Sequence, residues 1–326
     1  MCALLAIGAA SCGRNAEVTE SMTDSEILEV LDIKIHKDSK NAKLYYDRAK
    51  VLLKLNRAND AINDMMTATN LEDDNPDYFM LLGDAYFANG DVDRSYKAFQ
   101  DAIDLDEDNT EAYLKLGEIA FYSRDYDRAM ENLGKVTAKD KTNRTALFMK
   151  GFIYKETGDT TNAVFYFRKI CDLYPEYEPS FEELGSLYAI KHDPMAVEYL
   201  NTAITLEPTN TNALYCLAMF YQETDEIDQA EELYKRIIEI DPHNKDAWHN
   251  RGYIELFHYG DYDVAIEYLT RAIECDNQFI EAHVNRGCAY ELKGDKNNAE
   301  ICFRTALDID PDFQPAIDGM SRLGKK

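Results

Sequence analysis

Residues 76–109 read PDYFMLLGDAYFANGDVDRSYKAFQDAIDLDEDN, and this stretch decides the fold. Apolar residues recur at helical spacing around Leu82 and again around Phe99. Between the two segments, Gly90 and Asp91 form a turn signal, because glycine ends a helix in the left-handed conformation and aspartate caps the next helix. The stretch therefore predicts two short antiparallel helices.

A small residue recurs at a nearly constant interval along the chain, which is the mark of a repeat protein. The series is Ala49, Gly83, Gly117, Gly151, Gly185, Ala218, Gly252 and Gly287. Its successive spacings are 34, 34, 34, 34, 33, 34 and 35 residues. A second series follows, at Ala61, Ser95, Ala129, Ala163, Ala196, Ala230, Ala265 and Ala299. Two series in register at one period predict eight copies of the helix pair, each packed closely at its small residues.

The pattern resembles the tetratricopeptide repeat (TPR) family over residues 42–313. Trp248 and Gly252 stand at the family's aromatic and small positions, and a proline closes four repeats, at Pro175, Pro208, Pro242 and Pro311. The resemblance implies an all-α fold, a right-handed superhelical solenoid of antiparallel helix pairs with about eight TPR units plus capping helices. Residues 22–41 and 314–326 are expected to form the N-terminal and C-terminal caps, because an end unit would otherwise expose its apolar face.

The resemblance also implies where a partner binds, since the first helix of each repeat lines a concave groove in this family. The family's groove positions in repeats two to four carry Met80, Asp84, Phe87, Leu114, Glu118, Phe121, Tyr122, Phe148 and Phe152. This aromatic strip edged by carboxylates suits a protein or peptide partner with apolar side chains beside Lys or Arg. The alternative is that several of these aromatic residues only cover the neighbouring helix.

Polar residues occupy the equivalent positions in repeats seven and eight. They are His249, Asn250, Tyr253 and Asn285. An asparagine side chain both donates and accepts hydrogen bonds, so Asn250 and Asn285 could hold the backbone of an extended peptide without reading its sequence.

The charge of the chain limits the kinds of partner. There are 61 acidic and 35 basic residues, for a formal net charge of -26. We do not expect nucleic-acid binding, because its affinity comes from Lys and Arg side chains that neutralise phosphates, and this chain is strongly acidic. Basic or neutral protein surfaces are the better electrostatic match. The alternative is that the charge mainly keeps a long surface soluble.

No catalytic residue, cofactor or metal is predicted. The chain has no glycine-rich phosphate loop and no H-E-x-x-H or G-x-S-x-G motif. Asp104 begins a calcium-like stretch, but Lys115 stands where the closing glutamate is needed. His249, His283 and Cys288 fall on adjacent first helices, and we interpret them as groove residues. Five of the seven cysteines are expected to be packing residues inside helices, at Cys171, Cys216, Cys275, Cys288 and Cys302.

The first residues differ from the rest of the chain. Residues 3–10 are a continuous apolar run that ends just before Ser11 and Cys12. This resembles the end of a bacterial lipoprotein signal, although no Lys or Arg precedes the run and Ala9 stands where that family more often has Leu. Residues 1–21 are therefore predicted to be a signal remnant and flexible tether, lipidated at Cys12. The run is shorter than the roughly 20 residues that span a bilayer, so the lipid is the only membrane attachment predicted.

The sequence thus predicts a protein-interaction scaffold without enzymatic activity, anchored by lipid in the bacterial cell envelope. One alternative is a regulatory or substrate-docking subunit of an enzyme encoded separately. Another is a cytoplasmic TPR adaptor whose apolar start is not a signal.

Overall fold

The computed structural model describes residues 22–324, and all regular secondary structure in that range is helical. The prediction of an all-α fold is confirmed. The chain divides into two compact units, of which the first ends at Ile153 and the second begins at Tyr154. Cys12 and the predicted tether lie outside the described residues, so the lipidation site stays a prediction.

Eight helices begin within the first unit. They are α1 (Asp24–Lys37), α2 (Ala42–Lys54), α3 (Ala58–Leu71), α4 (Pro76–Ala88), α5 (Val92–Leu105), α6 (Thr110–Tyr122), α7 (Tyr126–Lys139) and α8 (Arg144–Glu156). The helices α2 and α3, α4 and α5, and α6 and α7 pack as consecutive pairs, and α1 packs on α2.

The second unit continues the same pattern. Its helices are α9 (Thr160–Leu173), α10 (Glu178–Ala189), α11 (Met195–Leu206), α12 (Thr211–Glu223), α13 (Ile227–Ile240), α14 (Lys245–Ile254), α15 (Tyr262–Cys275), α16 (Ile280–Lys293), α17 (Lys296–Ile309) and α18 (Gln314–Gly324). The pairs are α10 with α11, α12 with α13, α14 with α15, and α16 with α17, and α18 packs on the last pair. The proposed boundaries of the repeats and caps stay predictions.

The turns inside the pairs follow the predicted chemistry. Gly90, Gly158, Gly260 and Gly294 have φ between 71° and 92°, in the left-handed region. Aspartates then cap the following helices by accepting a backbone N–H, as Asp91 does from Arg94. Where glycine is missing, another residue adopts the positive φ at the turn, namely Asn56, Arg124, His192 or Asp225. The turn geometry is therefore kept even where its preferred residue is absent.

The small residues lie where the helices of a pair approach most closely. A Cβ atom added to Gly83 would lie 2.5 Å from the Phe99 ring, and one on Gly252 would lie 2.6 Å from Leu269. The alanines of both series are almost fully buried. Close helix approach therefore explains the two series of small residues.

One irregularity in the repeat spacing has a structural counterpart. Ala265 follows Gly252 by 13 residues, one more than in most other pairs. The extra residue is absorbed by a π-helical turn at Glu255–Tyr259, directly after α14. Single-turn π segments inside helices are often found at functional sites.

Candidate functional site

The first unit contains a cluster of aromatic side chains on α6 and α8 and at the start of α7. Phe121 is central, with its ring centroid 5.8 Å from Phe152 and 5.5 Å from Tyr122, both edge-on. Tyr126 lies 6.2 Å from Phe121, and Phe148 lies 6.3 Å from Phe152. We call these five residues the aromatic cluster. Edge-on pairs at these distances are favourable beyond the apolar area that they bury.

The members of the predicted strip differ in exposure. Tyr122 is 74% exposed and Phe87 is 47% exposed, whereas Phe121 and Phe152 are half-buried against each other. Both interpretations of the strip therefore apply, since Phe121 and Phe152 cover neighbouring helices while Tyr122 and Phe87 offer surface.

Met80 and Leu114 contribute less to this surface than their repeat position predicts. Met80 is 8% exposed because it packs into the core around Phe99 and Leu116. Its assignment to an accessible groove is corrected for this reason. Leu114 is half-buried against the core that contains Leu133.

The carboxylates at the edge of the strip are partly compensated. Lys115 Nζ lies 3.2 Å from Asp84 Oδ1, and both side chains are about one-third exposed. Burial raises the pKa of the Glu118 carboxyl, while nearby Lys115 opposes that rise. The edge is therefore acidic but less so than the sequence suggests.

In the second unit, the predicted polar residues contact each other across three first helices. Asn250 Nδ2 donates to Tyr215 Oη at 3.2 Å, and Asn250 Oδ1 lies 3.3 Å from His249 Nδ1. His249 Nε2 lies 2.9 Å from Asn285 Nδ2. A neutral imidazole that donates from Nδ1 and accepts at Nε2 satisfies both contacts. Burial lowers the pKa of His249 and so favours this neutral form.

This network corrects the predicted role of the asparagines. Asn250 is only 8% exposed, and its amide is used inside the protein. Asn285 is half-buried and donates to His249. The two amides link α12, α14 and α16 through hydrogen bonds. Both are therefore engaged within the protein and do not offer a free donor and acceptor pair to a peptide backbone. Tyr253 is half-buried beside Phe257, with ring centroids 4.7 Å apart.

A cavity of about 330 Å³ between α10 and α12 was missed by the sequence reasoning. Its lining combines apolar and polar side chains: Ser186, Ala189, Ile190, His192, Tyr215, Cys216, Met219, Phe220 and Glu223. These residues belong to the first helices of their pairs and to the turn after α10, as do the predicted groove residues of other repeats. The repeat register was the signal that could have found them.

The candidate metal sites are not assembled. Within residues 22–324 there is no group of three His, Cys, Asp or Glu residues that could hold a metal ion. His283 Nε2 is bonded to the carbonyl of Asn277, and Cys288 lies beside Arg322. The Asp106 carboxylate accepts the backbone N–H of Asp108 in a turn after α5. In the same described range, no helix has the length and apolar character needed to cross a membrane.

Several family profiles match the chain. One described as "Cytochrome c-type biogenesis protein H TPR domain" matches residues 72–181. Others described as "Tetratricopeptide repeat" match residues 42–75, 196–250, 245–279 and 280–313.

The matches to individual proteins are partial. The chain is 28% identical over 120 residues to "Protein O-mannosyl-transferase Tmtc3" of Drosophila melanogaster, which covers 36% of the chain and 13% of that protein. It is 28% identical over 97 residues to "Mitochondrial import receptor subunit TOM70" of Rattus norvegicus, which covers 30% of the chain and 16% of the relative. The matched regions thus span less than one-fifth of either relative.

A solved structure supports the fold. The crystal structure of a tetratricopeptide repeat protein from Parabacteroides merdae ATCC 43184 superposes with a TM-score of 0.55 at 16% identity. The match covers 77% of this chain and 99% of the other. At this identity the likeness concerns the fold alone.

Proposed function

The chain belongs to the tetratricopeptide repeat family, whose members are protein-interaction scaffolds, and from this premise we propose that it binds a protein or peptide partner through its first helices. Scaffold families of this kind are generally non-enzymatic, and the proposed activity is binding without turnover.

The observation that carries this proposal is the aromatic cluster of the first unit. Phe121 and Phe152 are fixed by mutual edge-on packing, so a partner that docks here meets a surface that is already ordered. Preorganised side chains lower the entropy cost of binding. Large aromatic residues are also the usual energetic centres of protein interfaces. Tyr122 in the cluster and Phe87 on α4 both offer exposed aromatic surface.

The proposed partner offers apolar side chains beside Lys or Arg. Asp84 and Glu118 lie along the aromatic strip, and the whole chain has a formal net charge of -26. Complementary charge mainly raises the association rate and excludes acidic competitors. The affinity for such a partner would therefore fall with increasing salt.

The proposed binding is tested with the two exposed aromatic residues. A Phe87→Ser, Tyr122→Ser double variant should capture the partners of the wild-type protein at least fivefold less well, because it removes apolar contact area without opening the core. Partners are captured from an envelope extract, quantified by mass spectrometry, and the leading partner is titrated by calorimetry. Phe165→Ser is the matched control, since Phe165 is 58% exposed on the second helix α9. Equal capture by the wild type and the double variant would rule out the proposed surface.

We further propose that Cys12 carries a lipid that anchors the scaffold in the bacterial envelope. The support is the apolar run at residues 3–10 followed by Ser11 and Cys12. Radiolabelled palmitate should label the wild-type protein in bacterial cells and leave a Cys12→Ala variant unlabelled. An unlabelled wild-type protein would favour the cytoplasmic adaptor instead.

A docking role in an enzyme complex is the second candidate. The match to Protein O-mannosyl-transferase Tmtc3 supports this candidate. The region similar to this chain is only a small part of that protein. The capture experiment above distinguishes a scaffold from a docking subunit. A docking subunit would be captured together with an enzyme and would alter the rate at which that enzyme turns over its substrate.

A further inference from the structure

The π-helical turn of the second unit places two aromatic side chains in solvent. Leu256 takes the buried position in this turn and is 3% exposed, whereas Phe257 is 51% and Tyr259 is 50% exposed. Leu292, near the end of α16, is 55% exposed. We call Phe257, Tyr259 and Leu292 the π-turn patch.

Phe257 and Leu292 stand at the same sequence offset in neighbouring repeats. Each follows the small residue of its own first helix by five positions, Phe257 after Gly252 and Leu292 after Gly287. The helices α14 and α16 contact each other directly. Neighbouring packed helices lie roughly 8 to 10 Å apart, and Phe257 follows the end of α14 while Leu292 lies near the end of α16. One partner segment can therefore reach both.

The aromatic part of the patch is held in place by specific contacts. Tyr259 Oη donates to Asp228 Oδ1 at 2.6 Å, which ties the π turn to α13. The Phe257 ring lies 4.7 Å from the ring of Tyr253. Both exposed aromatic side chains therefore have a defined orientation while leaving half of their surface in solvent.

Acidic groups surround the patch, and the cations near it are engaged. Lys293 pairs with Asp263, and Arg251 lies 2.6 Å from Glu231. Asp228, Glu255 and Asp261 add further carboxyl groups around the turn. The surface is thus apolar at its centre and acidic at its border.

We propose that the π-turn patch is a second docking surface, separate from the aromatic strip of the first unit, and that its occupant is a cationic amphipathic helix of a partner protein. In an α-helix, residues i and i+7 lie about 10 Å apart on one face, which is similar to the usual spacing of neighbouring packed helices. Lys and Arg flanking that face complement the acidic border. A second copy of this chain and an anionic membrane are both disfavoured, because each adds negative charge against a chain of formal net charge -26.

The test uses a fluorescein-labelled 18-residue peptide of Leu and Lys arranged as an amphipathic helix, and a matched peptide with Glu in place of Lys. In fluorescence anisotropy at physiological salt, Phe257→Ser with Leu292→Ser should weaken the affinity for the Leu/Lys peptide about tenfold. The control variant is Phe165→Ser with Ile301→Ser, which removes apolar side chains of 58% and 59% exposure from α9 and α17. It should change the affinity for the Leu/Lys peptide less than twofold. Both variants keep the charge of the protein.

Equal affinities of the wild type and the patch variant would overturn the proposal, as would equally tight binding of the Leu/Glu peptide. The alternative occupants are tested with the same variants. The patch variant could abolish a dimer that the wild type forms in sedimentation, or abolish binding to anionic vesicles. Either result, with peptide binding unchanged, would also overturn the proposal. Because the Leu/Lys peptide also matches the partner proposed for the aromatic strip, the patch and control substitutions are both compared in a Phe87→Ser, Tyr122→Ser background. This keeps the test independent of the first unit.

Discussion

An Arg48→Ala variant is expected to lose about 3 kcal/mol of stability in the first helix pair, because it leaves a buried carboxylate without its cation. Arg48 on α2 donates to both oxygens of Asp64 on α3, with Nε–Oδ2 at 2.7 Å and Nη2–Oδ1 at 2.5 Å. It also donates to Asp32 on α1 at 2.5 Å. Asp64 is 5% exposed. Loss of one partner of such a pair costs about 3 to 5 kcal/mol, and we take the lower end because the Arg48 side chain is 23% exposed.

Hydrogen exchange is the appropriate measurement, because helix pairs in a repeat array open locally. The opening free energy of residues 24–71 should fall in Arg48→Ala and stay within about 0.5 kcal/mol of the wild type in Arg57→Ala. Arg57 pairs with Asp60 on the surface, where both side chains are about half exposed. An Arg48→Met, Asp64→Leu double variant should lose less than Arg48→Ala, because no buried charge is left unpaired and the Asp32 carboxylate is exposed. Similar losses of opening free energy in Arg48→Ala and Arg57→Ala would show that the burial of Asp64 is not the cause of the destabilisation.

Arg48 illustrates what the sequence could and could not predict. It is one of four cations that stand directly before the small residue, where the repeat pattern favours leucine: Arg48, Lys150, Arg251 and Arg286. Each reaches a polar partner on a second helix: Asp64, Thr137, Glu231 and Thr270, respectively. The first partner belongs to the same pair and the other three to the preceding one. The substitution was visible in the sequence, but its partner depends on how neighbouring helices face each other.

The period of the small residues predicted the helix pairs because close approach imposes the same requirement in every repeat. The same period failed to predict how deeply each groove position is buried. Met80 and Asn250 stand on the expected helices, yet Met80 is buried in the core that contains Phe99, and a hydrogen-bond network uses Asn250. Repeat position fixes the face of a helix, whereas burial depends on the side chains that surround it.

The π turn shows a second limit. The 13-residue spacing between Gly252 and Ala265 revealed an extra residue, but not where the chain would absorb it. Within the π turn, Leu256 enters the core with Leu269, while Phe257 is exposed. The exposure of Phe257 follows from the repeat pattern, because Tyr122 and Leu292 are exposed at the same offset from their small residues, whereas the location of the π turn does not follow from it.

Alanine at Gly185 and alanine at Gly134 should change stability in opposite directions, although both glycines lie inside helices. A Cβ on Gly185 would lie 2.6 Å from Leu200 Cγ and 3.1 Å from the Leu200 backbone nitrogen, so α10 and α11 would have to separate. Overpacking of this kind costs about 1 to 3 kcal/mol. Replacing glycine by alanine in a helix returns roughly 1 kcal/mol, so the net loss should be up to about 2 kcal/mol.

Gly134 lies on α7, and a Cβ there would meet no atom within 4 Å, so only the helix-propensity gain of up to about 1 kcal/mol applies. Hydrogen exchange measures both effects, as the opening free energy of α10 and α11 in Gly185→Ala and of α7 in Gly134→Ala. Gly117 is a graded case, because its added Cβ would lie 3.0 Å from a flexible Leu133 side chain and should be tolerated better than the one on Gly185. Stabilisation by both Gly185→Ala and Gly134→Ala would mean that the small residues are kept for a reason other than close helix packing.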